Sequence, residues 1–145
     1  MAEVIVAKKG KSDLDRIFKI AAVQGSPVFL NSRNTIEKVR YMVEDSSGKG
    51  ADIVAFGESF IPAFPVWNLV YAPIDQHDFF KAIYYNSIEI PGEEFNMLAK
   101  IAKKHKVYLS IGITERGKTP GTMWNTNLLF NREGKLINKR RKLVP

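Results

Sequence analysis

The chain contains no cysteine. That absence excludes disulfides and thiolate metal sites, and it leaves no thiol within these residues to act as a nucleophile. Histidine is scarce as well. His77 lies beside Asp75 and Asp78, but with His105 as the second of 2 histidines it lacks the company a structural zinc site draws on. Long apolar runs are also missing, and the longest fall far short of the ~20 residues that cross a bilayer. Val4-Ile5-Val6-Ala7 is too short for the apolar core of a signal peptide, and lysines follow it rather than precede it. There is no internal repeat and no low-complexity segment. The simplest expectation is a cytoplasmic protein with no membrane partner, no metal and no cofactor.

What is present is the composition of one globular domain: 145 residues, 45% hydrophobic and 26% charged. The net charge of +7 raises the question of nucleic acid. The excess, however, gathers at the two ends, in Lys8, Lys9 and Lys11 and again in Lys135, Lys139, Arg140, Arg141 and Lys142. No nucleic-acid-binding motif accompanies it, so nucleic acid is not an expected partner.

Residues 1–16 show no sustained period and are expected to form a loose tail, with residues 17–145 as the domain. Ile17 to Gln24 reads as a buried strand, closed by Gly25-Ser26-Pro27. Ile36, Val39, Tyr41 and Val43 give a helical stripe from Asn34 to about Asp45, with Asn34 and Glu37 as a capping pair and Ser46-Ser47-Gly48 as its end. Ala51 to Phe56 is a second buried strand. This is the βαβ pattern, in which functional groups collect at the carboxyl ends of strands, and Glu58 falls at such an end. Pro62, Pro65 and Pro73 make the next segment an irregular loop rich in aromatics. A helix is expected from Asp75 or Gln76 to about Asn86, and another from Glu93 to Lys106 with Phe95, Leu98, Ile101, Ala102 and His105 on one face. Val107 to Thr114 and Trp124 to Phe130 alternate at strand period, and Asn131 to Lys135 turns the chain into a last strand, Leu136–Lys142. The fold class is α/β, a mixed sheet with flanking helices.

Several residues invite a chemical reading. Glu58 closes an apolar run, where burial would disfavour its charge and raise its pKa toward a value suited to a general base. It could equally be a capping or solvent-facing glutamate. Lys142 ends a basic run and reads alone as a solvated charge, yet the alternation puts it on a strand face with Leu136, Asn138 and Arg140, from which a cation could reach an anionic intermediate. Phe64 and Trp67 either line an apolar pocket or belong to the core. His105, at a helix end, is expected to be a cation facing the negative pole of that helix. Gly112 to Thr119 satisfies the phosphate-loop pattern G-x-x-x-x-G-K-[ST], but Pro120-Gly121 and a strand follow where a helix is required, so the match reads as a hairpin loop. Gly57-Glu58-Ser59-Phe60-Ile61 lacks the flanking glycines of a nucleophile elbow.

Five segments in order carry a resemblance: Ala21 to Gln24, Gly50 to Glu58, Ile61 to Trp67, Gly112 to Arg116, and Arg141 to Pro145. Together they resemble the nitrilase branch of the carbon–nitrogen hydrolase superfamily over residues 17–145. The resemblance implies an α-β-β-α sandwich that assembles into homo-oligomers, of which this chain would be the N-terminal part. It implies a cofactor-free hydrolase acting on a small-molecule nitrile, or on an amide as the nearest rival. Glu58 would be the general base and Lys142 the stabiliser of the intermediate, with Phe64 and Trp67 near the substrate. The family's cysteine and second glutamate lie beyond its lysine, so both would fall after Pro145. Gly57 and Phe64 depart from the family, where many members have proline and tyrosine. Should the chain be naturally complete, the resemblance would imply a non-catalytic assembly module.

Removing a catalytic nucleophile from a comparable protease costs on the order of a millionfold in turnover. Purified residues 1–145 are therefore expected to hydrolyse no nitrile in a coupled ammonia assay, and steady turnover would contradict the assignment.

Overall fold

The computed structural model describes residues 2–7 and 18–144. Seven strands and three α-helices follow one another as β1 (Ala2–Ala7), β2 (Phe18–Val23), α1 (Ser32–Gly48), β3 (Ile53–Ala55), α2 (His77–Tyr85), β4 (Ile88–Glu89), α3 (Glu93–His105), β5 (Tyr108–Arg116), β6 (Met123–Phe130) and β7 (Leu136–Arg141). They make one mixed sheet in the order β1-β2-β3-β5-β6-β7, with β4 also pairing with β5. β2, β3 and β5 run parallel, while β1, β6 and β7 are antiparallel to their neighbours.

β5 is the organising strand. It alternates as the sequence suggested as far as Leu109, but from Ile111 to Glu115 every residue is buried, because chain covers both of its faces. One of its edges pairs with β6 throughout. The other edge is shared by three segments in turn: β3 opposite Tyr108 to Ser110, Ile61 opposite Ile113, and β4 opposite Glu115 and Arg116. Helices α1 and α3 form the layer on one face. Ile36, Val39 and Val43 from α1 and Leu98 and Ala102 from α3 are fully enclosed against Val54, Leu109, Ile111 and Leu128. Phe95 of α3 packs on Phe130 of β6 with centroids 5.3 Å apart.

Local chemistry sets the element ends, and several differ from the sequence expectation. Ala2–Ala7 is not loose: it pairs antiparallel with β2 along its whole length. Residues 8–16 of the expected tail lie outside the described residues. α1 begins earlier than expected, since Asn31 and not Asn34 is its cap; the Asn31 side chain accepts from the Asn34 backbone N–H at 3.0 Å. It also runs through Ser46-Ser47-Gly48, because the two serines turn their hydroxyls back onto the carbonyls of Met42 and Glu44 and stay compatible with helix. α2 and α3 fall where the periodicity placed them. α3 carries Glu93 and Glu94 in its first turn and Lys103 and Lys104 in its last, matching the helix dipole, and stops at Lys106 in the left-handed region (φ 53°).

His105 departs from expectation. Burial, and then the neighbouring Lys104, push its pKa below the ordinary value, and among the described residues its Nε2 is enclosed without a hydrogen-bond partner. Burial thus favours the neutral imidazole over the helix-capping cation expected from the sequence.

Replacing Asn31 with alanine removes the N-terminal cap of α1 and is expected to cost about 1 kcal/mol, read as a lower urea midpoint at unchanged slope.

Candidate active site

The chain leaves the β5 edge after β3 and returns to it at Ile61, and Glu58 sits on the excursion between. Both feet of that loop are tied to β5: Phe56 donates to the Ser110 carbonyl at 2.8 Å, Ile61 to the Gly112 carbonyl at 3.2 Å, and Thr114 to the Ile61 carbonyl at 2.7 Å. The loop lies directly against Gly112. A Cβ at that position would come within 2.4 Å of the Gly57 oxygen and 2.7 Å of the Ser59 nitrogen, so any side chain there would lift Glu58 away. This is the reason a glycine sits mid-strand, and it accounts for part of the false phosphate-loop pattern. The remainder of that pattern, Gly117 to Thr119, is the β5–β6 hairpin, closed by the Gly117 N–H on the Thr122 carbonyl.

Two side chains converge on Glu58. Lys142, just past β7, donates from Nζ to Oε1 at 2.8 Å, and Asn125 of β6 donates from Nδ2 to the same oxygen at 2.6 Å. Lys142 keeps its place because its backbone N–H still pairs with the Asn125 carbonyl. The structure thus brings Glu58 and Lys142 together across 84 residues of chain. Their environment differs from the expectation of burial. The side chains are 45% and 43% exposed, and the Glu58 pKa is lowered, not raised, through the hydrogen bonds from Lys142 and Asn125. The apolar run before Glu58 is buried, but the residue itself lies on a loop that steps out of it.

Glu58 and Lys142 edge a cavity of about 1010 Å³, walled by Phe64, Trp67, Leu69, Ile74, Phe80 and Trp124 among others. Phe64 is half-exposed within it. Trp67 answers to both readings of the sequence: it lines the cavity and is itself buried, stacked on Phe79 at 5.2 Å and edge-on to Phe29 at 5.9 Å. His77 also lines the wall.

Two residues that the sequence reading did not select prove central. Asn125 is one. Its signal was an asparagine inside an apolar alternation, where strand propensity disfavours it. The other is Glu115, which continues the core-facing series Leu109, Ile111 and Ile113 and is only 3% exposed. A charge at a core position requires partners, and Glu115 has four donated bonds: Thr126 Oγ1 at 2.8 Å, Lys139 Nζ at 2.9 Å, and Arg141 through Nε at 3.0 Å and Nη2 at 2.7 Å. Burial pushes its carboxyl upward, but these bonds outweigh that effect and hold its pKa at about 2.

A mixed sheet that gathers a glutamate, an asparagine and a lysine beside an apolar cavity at the strand ends defines a recognisable class. The family model described as carbon-nitrogen hydrolase matches residues 19–145. A nitrilase from Bacillus sp. (strain OxB-1) is 37% identical over 126 residues, which cover 87% of this chain and 36% of that protein. Among solved structures, Saccharomyces cerevisiae Nit3, a member of branch 10 of the nitrilase superfamily, superposes with a TM-score of 0.69 at 26% identity, over 88% of this chain and 44% of that one. An amidase from Nesterenkonia AN1 shares the fold at a TM-score of 0.64 and 15% identity, over 92% of this chain and 46% of its own. The chain belongs to the carbon–nitrogen hydrolase family. It spans little more than a third of the length of the Bacillus nitrilase.

The Glu115 carboxyl, with a folded pKa of about 2 against an ordinary 4.5, favours the native state most fully above pH 4.5, and that contribution fades as pH falls toward 2. Wild type should therefore lose stability steeply between those limits. In urea titrations at stepped pH, Glu115→Gln should be less stable at neutral pH and show a shallower decline over the same window.

Proposed function

We propose that this chain supplies the glutamate and lysine of a nitrilase that converts a nitrile to a carboxylic acid and ammonia, with the cysteine contributed by sequence beyond it. The observation that carries the reading is the convergence of Lys142 Nζ and Asn125 Nδ2 on Glu58 Oε1 at the edge of an apolar cavity. Among the described residues no hydrogen bond is made to Glu58 Oε2, so that oxygen is available to take a thiol proton.

In this scheme the thiolate adds to the nitrile carbon, the nitrogen gains a proton, and a thioimidate forms. Water adds next, ammonia leaves, and a thioester remains. A second water, deprotonated at Glu58, releases the acid and restores the thiol. Lys142 is a fixed cation 2.8 Å from the base, placed to stabilise charge developing on the substrate. The lowered Glu58 pKa keeps the base form populated at neutral pH, at some expense in proton affinity.

Substrate class follows from the walls. Phe64, Trp67, Ile74 and Phe80 suit an apolar, ring-sized substituent on the nitrile. The relatives named nitrilases reach 37% identity, whereas the amidase shares only the fold, so nitrile is preferred over amide. Homo-oligomerisation belongs to the same reading, supported by the exposed Val70 and Tyr71. A cytoplasmic location suits a free thiol. No helix among the described residues is long and apolar enough to cross a membrane.

The test is turnover of matched aryl-substituted nitriles and amides by the whole protein. Glu58→Gln is expected to lower kcat by on the order of 10²–10⁴-fold, the usual weight of a general base, with nitrile favoured over amide in the parent. An unaffected kcat would overturn the assignment of Glu58.

A further inference from the structure

Adjacent residues in a strand point to opposite faces of the sheet, and three adjacent pairs here divide the same way. Direct cross-strand partners share a face, and the register pairs Glu115 with Trp124, Ile113 with Thr126, and Thr126 with Arg141. Glu115, Thr126 and Arg141 therefore stand together on the face covered by α1 and α3. Their chain neighbours Thr114, Asn125 and Lys142 stand on the other face, where Asn125 and Lys142 meet Glu58 and Thr114 lines the cavity.

We propose that Glu115 is a positioning residue for the Glu58–Lys142 pair, its carboxylate locking β5, β6 and β7 from the helix-covered face into the one register that presents Asn125 and Lys142 to Glu58. The lock is geometrically complete. Arg141 grips both carboxylate oxygens with its fork, Thr126 adds a bond to Oε2 and Lys139 one to Oε1. A slip of β7 by one residue would turn Lys142 to the wrong face and would break the Arg141 fork at the same time. The clamp extends to the cavity wall as well. The Arg141 guanidinium lies 3.5 Å from the centroid of the Trp124 ring, which lines the cavity. Trp124 also lies against Gly117, where a Cβ would come within 2.8 Å of the ring. The pair on the active face cannot hold this arrangement alone, because both of its side chains are nearly half exposed and screened by water.

The consequence for catalysis rests on the nitrilase reading, but the positioning itself is measurable without turnover. The readout is the titration midpoint of the Glu58 carboxyl in this chain, followed by NMR with carboxyl-labelled glutamate and assigned by loss of its signal in Glu58→Gln. In wild type that midpoint lies below the ordinary value of 4.5, because Lys142 and Asn125 hold the charged form. If Glu115 positions those donors, Glu115→Gln raises the midpoint toward the ordinary value. Were Glu115 merely a nearby charge, neutralising it would lower the midpoint further. The two accounts thus differ in sign. Arg141→Lys keeps every formal charge while losing the fork and the stacking on Trp124, and Thr126→Val removes one bond of the four; each should raise the midpoint in the same direction, and they serve where Glu115→Gln does not fold. A midpoint that falls or stays put in a variant with a native melting profile overturns the proposal. A whole enzyme whose kcat ignores Glu58→Gln would instead overturn the nitrilase reading and leave the measured positioning untouched.

Discussion

The two edges of β5 are satisfied by different kinds of chain, and the site exists because of that difference. β6 runs along one edge without interruption, whereas the other edge is filled in instalments by β3, Ile61 and β4. A continuous neighbour would leave no room for a loop. An interrupted one lets the chain step out at Gly57 and back at Ile61 while hydrogen bonds to Ser110 and Gly112 hold both feet. The excursion carries Glu58 over the sheet at a fixed height, set by the bare Cα of Gly112. The rest of the site is referenced to the same strand, since β6 and β7 build outward from its uninterrupted edge.

Stability and chemistry are divided between the two sides of that sheet. On the helix-covered side a buried carboxylate takes four donors, and their hydrogen bonds outweigh the upward push of burial on its pKa. A lone buried charge would be ruinous there, whereas a saturated one specifies which strands face it. On the open side the Glu58–Lys142 contact lies partly in water and contributes little to holding the fold. An enclosed carboxylate with four donors thus lies behind a half-exposed pair on the opposite face.

Much of this was legible in the sequence, and the gaps have physical causes. The apolar run of β5 and the stripe of α3 report burial directly, and the α/β class followed from the strand and helix periods. β2, expected to be buried, encloses only Ala21 because it lies near the edge of the sheet beside β1. β1 and β4 were not visible because their identity as strands depends on partners elsewhere in the chain: β4 is two residues long and exists only because β5 has an edge to fill. Asn31 was overlooked in favour of Asn34 because both lie near the start of α1 and composition does not say which one turns its carbonyl oxygen back. The proximity of Glu58 and Lys142 came from matching motifs, while their surroundings did not, since an apolar run before a glutamate says nothing of the loop that lifts it clear. Glu115 was hidden inside a motif set aside as a phosphate loop. Its parity with Leu109, Ile111 and Ile113 marked it as a charge pointing into the core, and the basic run at the end of the chain held its partners.

The division of neighbouring residues between two faces also sets where the chain can change length over evolutionary time. Beyond the irregularity at Leu129/Phe130, the residues around Glu115 and those around Glu58 alternate between faces, so a single-residue insertion between Trp124 and Thr126, or between Lys139 and Lys142, would exchange the two sets. The turns at Gly117–Thr122 and Asn131–Lys135 are under no such parity rule, although Gly117 lies close to Trp124 and Gly134 close to Ala99 of α3. Variation in length should accumulate at those two turns, leaving the strands between them conserved in residue count even where their surface residues drift.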